Sequence, residues 1–158
     1  MRRVTVFAVI LSFLSGGVVF AGSSANVTVK VKITQSLSVS VTPSSLDLGS
    51  GAENGILQST ATALSAKNDG NVAEKFTITV NNSANWRAGT AAGSETFAAK
   101  VTTDGSTWNI INPTGGFLFA NSVAGKASKA FGIQILLPTT TSYGGIEQGI
   151  PLTVTASL

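Results

Sequence analysis

Residues 26–42 are the stretch that most constrains the fold. Val27, Val29, Val31 and Ile33 alternate with Thr28, Lys30 and Lys32, and the beat resumes after Gln35 with Leu37, Val39 and Val41. Apolar side chains at every second position lie on one face of an extended strand, the polar ones on the other. At about 3.3 Å per residue, residues 27–41 would span roughly 50 Å. An ordinary strand runs only about 5–6 residues. Two readings remain open. The segment bends near Gln35 and serves two sheets of its own domain, or its first half leaves the domain and pairs elsewhere.

Residues 1–21 carry the plan of a secretory signal peptide. Arg2 and Arg3 precede the mostly apolar run 4–20, and Val19-Phe20-Ala21 suits cleavage after Ala21. The rival is a retained anchor, since the run is just long enough to span a bilayer. The leader supplies two of the 10 basic residues; without it the excess over the 7 acidic groups falls to about +1. No polyanionic partner follows from such a charge, so nucleic acid is not expected. The membrane is expected to matter only during export.

The remainder divides into an N-terminal extended strand, residues 22–35, and one domain, residues 36–158. That length is enough to bury a core. Cys and His are both absent, so the domain must hold itself by packing and hydrogen bonding without disulfides. Pro43 closes the long strand. Further strands are expected over residues 58–66, 76–80, 97–101, 129–137 and 152–158, with a return strand carrying Trp108 and Ile110. Residues 45–49 and 117–119 read as short apolar pieces. Asn68-Asp69-Gly70-Asn71 and Asp104-Gly105 are read as hairpin turns, and residues 121–125 as another turn. About eight strands, with turn signals every 8–12 residues and no helix-period segment beyond the leader, predict a single antiparallel β-sandwich of immunoglobulin-like or jelly-roll kind.

Catalysis is not expected. A nucleophile needs a neighbouring base, and the acidic residues Asp47, Glu53, Asp69, Glu74, Glu95, Asp104 and Glu147 are scattered. No spacing suits zinc or a calcium loop, and neither Gly115-Gly116 nor Gly144-Gly145 opens a helix as a phosphate loop would. The chain is therefore read as a non-enzyme without cofactor or metal. Trp86, Trp108 and Tyr143 are the large aromatics available for stacking on a sugar. In a small sandwich such residues are more often core anchors; Trp108 and Tyr143 are the ones retained as candidate ligand-facing aromatics.

The sharper reading concerns the extended strand. A sheet edge is a row of unpaired amides and carbonyls, and a neighbour's extended segment can fill it. Val27, Val29, Val31 and Ile33 are spaced like the plug residues of such a donor. Leu152, Val154, Ala156 and Leu158, on the final strand, form the candidate acceptor edge. The contact is head-to-tail and propagates unless it closes into a ring.

The motifs Leu46-Asp47-Leu48-Gly49 after Pro43, Asn68-Asp69-Gly70-Asn71 and Phe76-Thr77-Ile78-Thr79-Val80 resemble those of immunoglobulin-like modules in bacterial and archaeal surface proteins. Behind a signal peptide and a donor-like strand, the chain is similar to the biofilm matrix fibre proteins of the TasA/camelysin type and to archaeal bundling pilins. The opening 26–49 also resembles, more weakly, the N-terminal segment of chaperone–usher pilins, from which it differs in lacking a cysteine pair and an aromatic near the end. The resemblance implies a secreted, cell-surface structural protein whose partners are copies of itself, joined by donor-strand complementation into a filament, pilus or surface layer. The alternative expectation is a monomeric secreted module that binds carbohydrate or a surface.

Overall fold

The computed structural model describes residues 25–158, so the signal-peptide reading lies outside the described residues. The chain divides into two units, Met1–Lys32 and Ile33–Leu158. Residues 25–32, the described part of the first, form no paired strand and are exposed throughout.

Within the second unit all regular structure is β: β1 (Val39–Thr42), β2 (Ile56–Gln58), β3 (Leu64–Asn68), β4 (Glu74–Val80), β5 (Arg87–Gly89), β6 (Thr96–Thr102), β7 (Asn109–Ile110), β8 (Phe117–Val123), β9 (Ser128–Leu136) and β10 (Leu152–Ser157). They form two sheets. The larger runs β1-β3-β9-β6-β5, with β2 paired to β9 and β7 to β6; the smaller runs β10-β4-β8. Both sheets contribute to one core, as the layers of a β-sandwich do.

Period-2 patterning explains the central strands. On β4, Phe76, Ile78 and Val80 are buried while Lys75 is exposed and Thr77 and Thr79 are half-buried. On β9, Phe131, Ile133 and Ile135 point the same way. Phe119 of β8 stands 6.1 Å from Phe76 and 4.9 Å from Phe131, ring centre to ring centre, both pairs tilted. Because Phe131 belongs to the other sheet, this trio ties the two layers together, each ring contributing roughly 1.5–3 kcal/mol by burial.

Several local expectations are corrected. The long strand over residues 27–41 is paired only from Val39, and residues 45–49 form no strand. The strand expected over 58–66 is two strands on one edge of β9. Gln58 pairs with Gln134 and Leu64 with Phe131, so the five residues between Gln58 and Leu64 face the two between Phe131 and Gln134. The surplus loops out across Gly132, where a Cβ would strike the Thr60 carbonyl oxygen. Ser59 bridges the gap: its amide donates to the Ile133 carbonyl at 2.9 Å, and its Oγ accepts from the Ile133 amide at 2.9 Å.

The turn at residues 68–71 is not a hairpin either. β3 pairs with β1 and β9, whereas β4 pairs with β10 and β8, so the turn carries the chain from one sheet to the other. β6 and β7 are antiparallel, but their link is far longer than two residues, and the β5–β6 pair is parallel where an all-antiparallel sandwich was expected. The expected turn at 121–125 starts later, since β8 continues to Val123.

The β6–β7 link is organised by Asp104, whose Oδ1 accepts from the amides of Thr107 (2.7 Å) and Ser106 (2.9 Å) and from the Thr102 hydroxyl (2.9 Å). These donors, the Thr107 amide foremost, hold the Asp104 carboxyl well below the ordinary carboxylate range. A depressed folded-state value contributes stability above the unfolded value, lost as pH falls towards the folded one. Between about pH 5 and about pH 2, straddling the ordinary Asp value, the denaturation midpoint of the native chain should therefore fall. It should fall less steeply in Asp104→Asn, whose amide oxygen keeps the acceptor without the titration. Urea melts across that range check it.

Candidate assembly site

The four side chains Val27, Val29, Val31 and Ile33 are exposed at 86, 76, 89 and 82 %. Nothing among the described residues covers them. Isolated apolar residues on a surface are ordinary; four in alternation on one unpaired segment are not.

The chain is fixed to the body immediately after them, by the turn of residues 68–71. The Asn71 side chain acts as a strand would: its Nδ2 donates to the Thr34 carbonyl at 2.9 Å and its Oδ1 accepts from the Ser36 amide at 2.8 Å. The Asn71 amide donates to the Ser36 carbonyl at 3.2 Å and the Asp69 amide to the Ser38 carbonyl at 2.8 Å. Ser38 in turn donates its amide to Glu74 Oε1 at 2.9 Å. Thr34, Ser36 and Ser38 are thus held in sequence up to β1, whose register with β3 begins at Val39↔Asn68.

The turn has this shape because Asn68 is fully buried and its amide bridges the carbonyls of Val72 (2.7 Å) and Val123 (2.8 Å), while its Oδ1 takes the Gly70 amide at 2.8 Å. Gly70 leaves room for the incoming chain; a Cβ there would collide with the Ser36 carbonyl oxygen and Glu74 Oε1. Asp69 is held below the usual carboxylate range, first by its hydrogen bond with Lys67, then by that from Ser40. That ion pair is solvated and contributes little to stability. Glu74 is wholly buried, and its second carboxylate oxygen has no partner.

Removing the clamp tests its role. Asn71→Ala deletes two hydrogen bonds at an exposed site, together about 1–3 kcal/mol of local restraint. The Ser36 amide should exchange with solvent faster, and protease cleavage before Ser38 should increase, with the unfolding midpoint nearly unchanged. Hydrogen-exchange mass spectrometry reads the first and limited proteolysis the second.

Among the described residues, the smaller sheet has two edge strands without a second partner. β10 pairs with β4 from Leu152↔Val80 to Ser157↔Lys75. Leu152, Val154 and Ala156 are half-buried against the core; Leu158 lies past the strand's end and is 57 % exposed. The outer side of β10 lies beside β1 without pairing. The opposite edge is β8, which pairs only with β4 among the described strands. Sequence reasoning missed this edge because it split residues 117–125 into an apolar piece and a turn. The continued alternation from Phe117 and Phe119 to Val123, past polar Asn121, was the available signal.

The candidate ligand-facing aromatics are not brought together. Trp108 is half-buried just ahead of Asn109, which pairs with Val101 near the end of β6. Tyr143, 36 % exposed, follows Thr141 and Ser142, both hydrogen-bonded to Glu95 just before β6 begins. Their attachments thus stand at opposite ends of β6, about 20 Å apart along it. Trp86 packs partly against the core, its indole N–H donating to Thr141 Oγ1 at 2.9 Å. Among the described residues no group of three or more Asp or Glu side chains is placed to hold a metal ion, and no helix is long and apolar enough to cross a membrane.

Comparison of the chain with protein-family models, characterised proteins and solved structures yields no match.

Proposed function

We propose that the protein is the structural subunit of an extracellular filament, pilus or surface layer. Residues 27–33 of one copy complete a sheet edge of the next, in an immunoglobulin-like arrangement that needs no cofactor. One observation carries this reading. The segment most strongly patterned as a half-buried strand is the one whose apolar side chains stand in water, on a chain fixed from Thr34 onward to a packed body. Transfer of four such side chains into a neighbour's core is worth about 6–12 kcal/mol before ordering costs. That is enough for a durable joint.

The test compares the chain with a truncated one beginning at Ser36, by negative-stain electron microscopy and size-exclusion chromatography. The shorter chain keeps β1–β10 and every buried core residue. Filaments from the longer chain and monomers from the shorter support the reading. Inhibition of growth by a free peptide of residues 26–35 would strengthen it. Two well-folded monomers at high concentration would refute it, and return attention to a monomeric surface-binding module.

A further inference from the structure

We infer that the acceptor of residues 27–33 is the groove along the free edge of β8, and that its occupant is the tail of a second copy. The inference rests on the strand-donation reading above and adds the site to it.

β8 and β9 belong to different sheets and diverge from the turn between them, where the Ala127 amide donates to the Ala124 carbonyl at 3.0 Å. On the facing side, the pairing of β9 with β6 begins only at Gly132, so Ser128–Phe131 have no strand partner there. Two hollows follow β8 from end to end. One, of about 190 Å³, lies between Phe117, Leu118 and Phe119 and the end of β6. The other, of about 360 Å³, lies between residues 119–124 and residues 127–129. Phe119 lines both. The lining is mixed: Leu118, 48 % exposed, and the half-buried Phe117 and Val123 stand beside the polar Thr103, Asn109 and Asn121. Two bulges in the β4–β8 register, each with its extra residue on β8, bend that strand along its length. The other edge differs in having a neighbour: β1 approaches β10 without pairing with it.

The occupant matches this site in length and pattern. Residues 27–33 are as many as the seven of β8, and their four apolar side chains fall on one face. The tail of the same chain is a poor candidate. From Asn26 to Thr42 there is no Gly or Pro, and the run is dense in β-branched residues, so any tight turn that would fold residues 27–33 back onto their own body is resisted. A second copy meets no such constraint.

The absence of native cysteine makes disulfide trapping a clean test. Full chains carrying Val29→Cys, Val31→Cys or Ile33→Cys are mixed with differently tagged full chains carrying Leu118→Cys or Asn121→Cys on β8, or Thr153→Cys on β10. Val29, Val31 and Ile33 of the tail and Leu118, Asn121 and Thr153 of the body are all exposed, so folding is unaffected; circular dichroism verifies it. Docking raises the local thiol concentration to about millimolar. The expected result is a mixed-tag dimer between tail and β8, formed roughly a thousandfold faster than between tail and β10 at micromolar chain. Filaments that persist while the tail traps on Thr153→Cys would overturn the β8 groove and leave strand donation standing. No trapping at either edge, with no filaments by microscopy, would remove strand donation itself. Closure within single chains of the double variant Val31→Cys/Asn121→Cys, unaffected by dilution, would overturn the second copy as occupant.

Discussion

Replacing Val29 and Val31 together by aspartate should abolish assembly while leaving the body's stability unchanged. Both side chains are exposed in the free chain, at 76 and 89 %, so the folded subunit loses no packing. In the joint they would be buried. Forfeiting two valine burials costs about 3–6 kcal/mol, a factor of roughly 10² to 10⁴ in association. Two carboxylates carried out of water into the joint deepen the loss. Val29→Ile with Val31→Ile provides the converse, since each adds a methylene to the same face and should hold or strengthen the joint. Lys30→Glu is the charge control: it lies on the opposite face of the alternation and should leave assembly nearly intact at physiological salt. Sedimentation of the three variants beside the native chain, with thermal melts of each, separates failure to assemble from failure to fold. Normal filaments from the double aspartate variant would exclude residues 27–33 from the joint.

The second large effect is on the body itself. Phe131→Ala should cost about 3–5 kcal/mol, a large share of the 5–15 kcal/mol typical of a domain. Phe131 is 1 % exposed and touches Phe119 across the layers. Its loss opens a cavity where the two sheets meet, and neither sheet can close on it without shifting its own ladder. The melting temperature should fall by roughly 10–20 °C. Phe131→Leu, which keeps most of the volume, should lose less than half as much. Equal losses from the two would show that the ring's bulk does not hold the layers together.

The parts of the fold legible in the sequence are those where one residue pattern answers to one face. β4, β6, β9 and β10 fall where Phe76–Val80, Phe97–Val101, the 129–137 run and the 152–158 run alternate, because burial on one side and water on the other leaves period 2 in the residues. The misreadings have a common cause. A turn signal such as Asn68-Asp69-Gly70-Asn71 specifies a reversal of direction but not which sheet receives the next strand. Only the packing of buried Asn68 against Val72 and Val123 decides that. Likewise the β2–β3 interruption follows from the backbone crossing at Gly132, which alternation cannot report. Of the candidate site, the apolar tail was readable and its exposure was not. The pattern of residues 27–33 is the same whether a strand is buried in its own sheet or kept for another. The clamp was invisible for a related reason: Asn71 looks like any turn residue until the chain 35 positions earlier is laid against it.

The same clamp has a mechanical meaning. A pull on the tail along the axis of β1 meets the Asn71 amide first, then the Asp69–Ser38 and Ser38–Glu74 bonds, then the four-residue register with β3. These bonds run across the line of force and are loaded in shear, several at once, instead of being peeled one by one. The bonds at Asn71 lie at the exposed end, open to water, where they can break and re-form while β1 stays seated. In the proposed filament, each joint would give a little under load before any body unfolds.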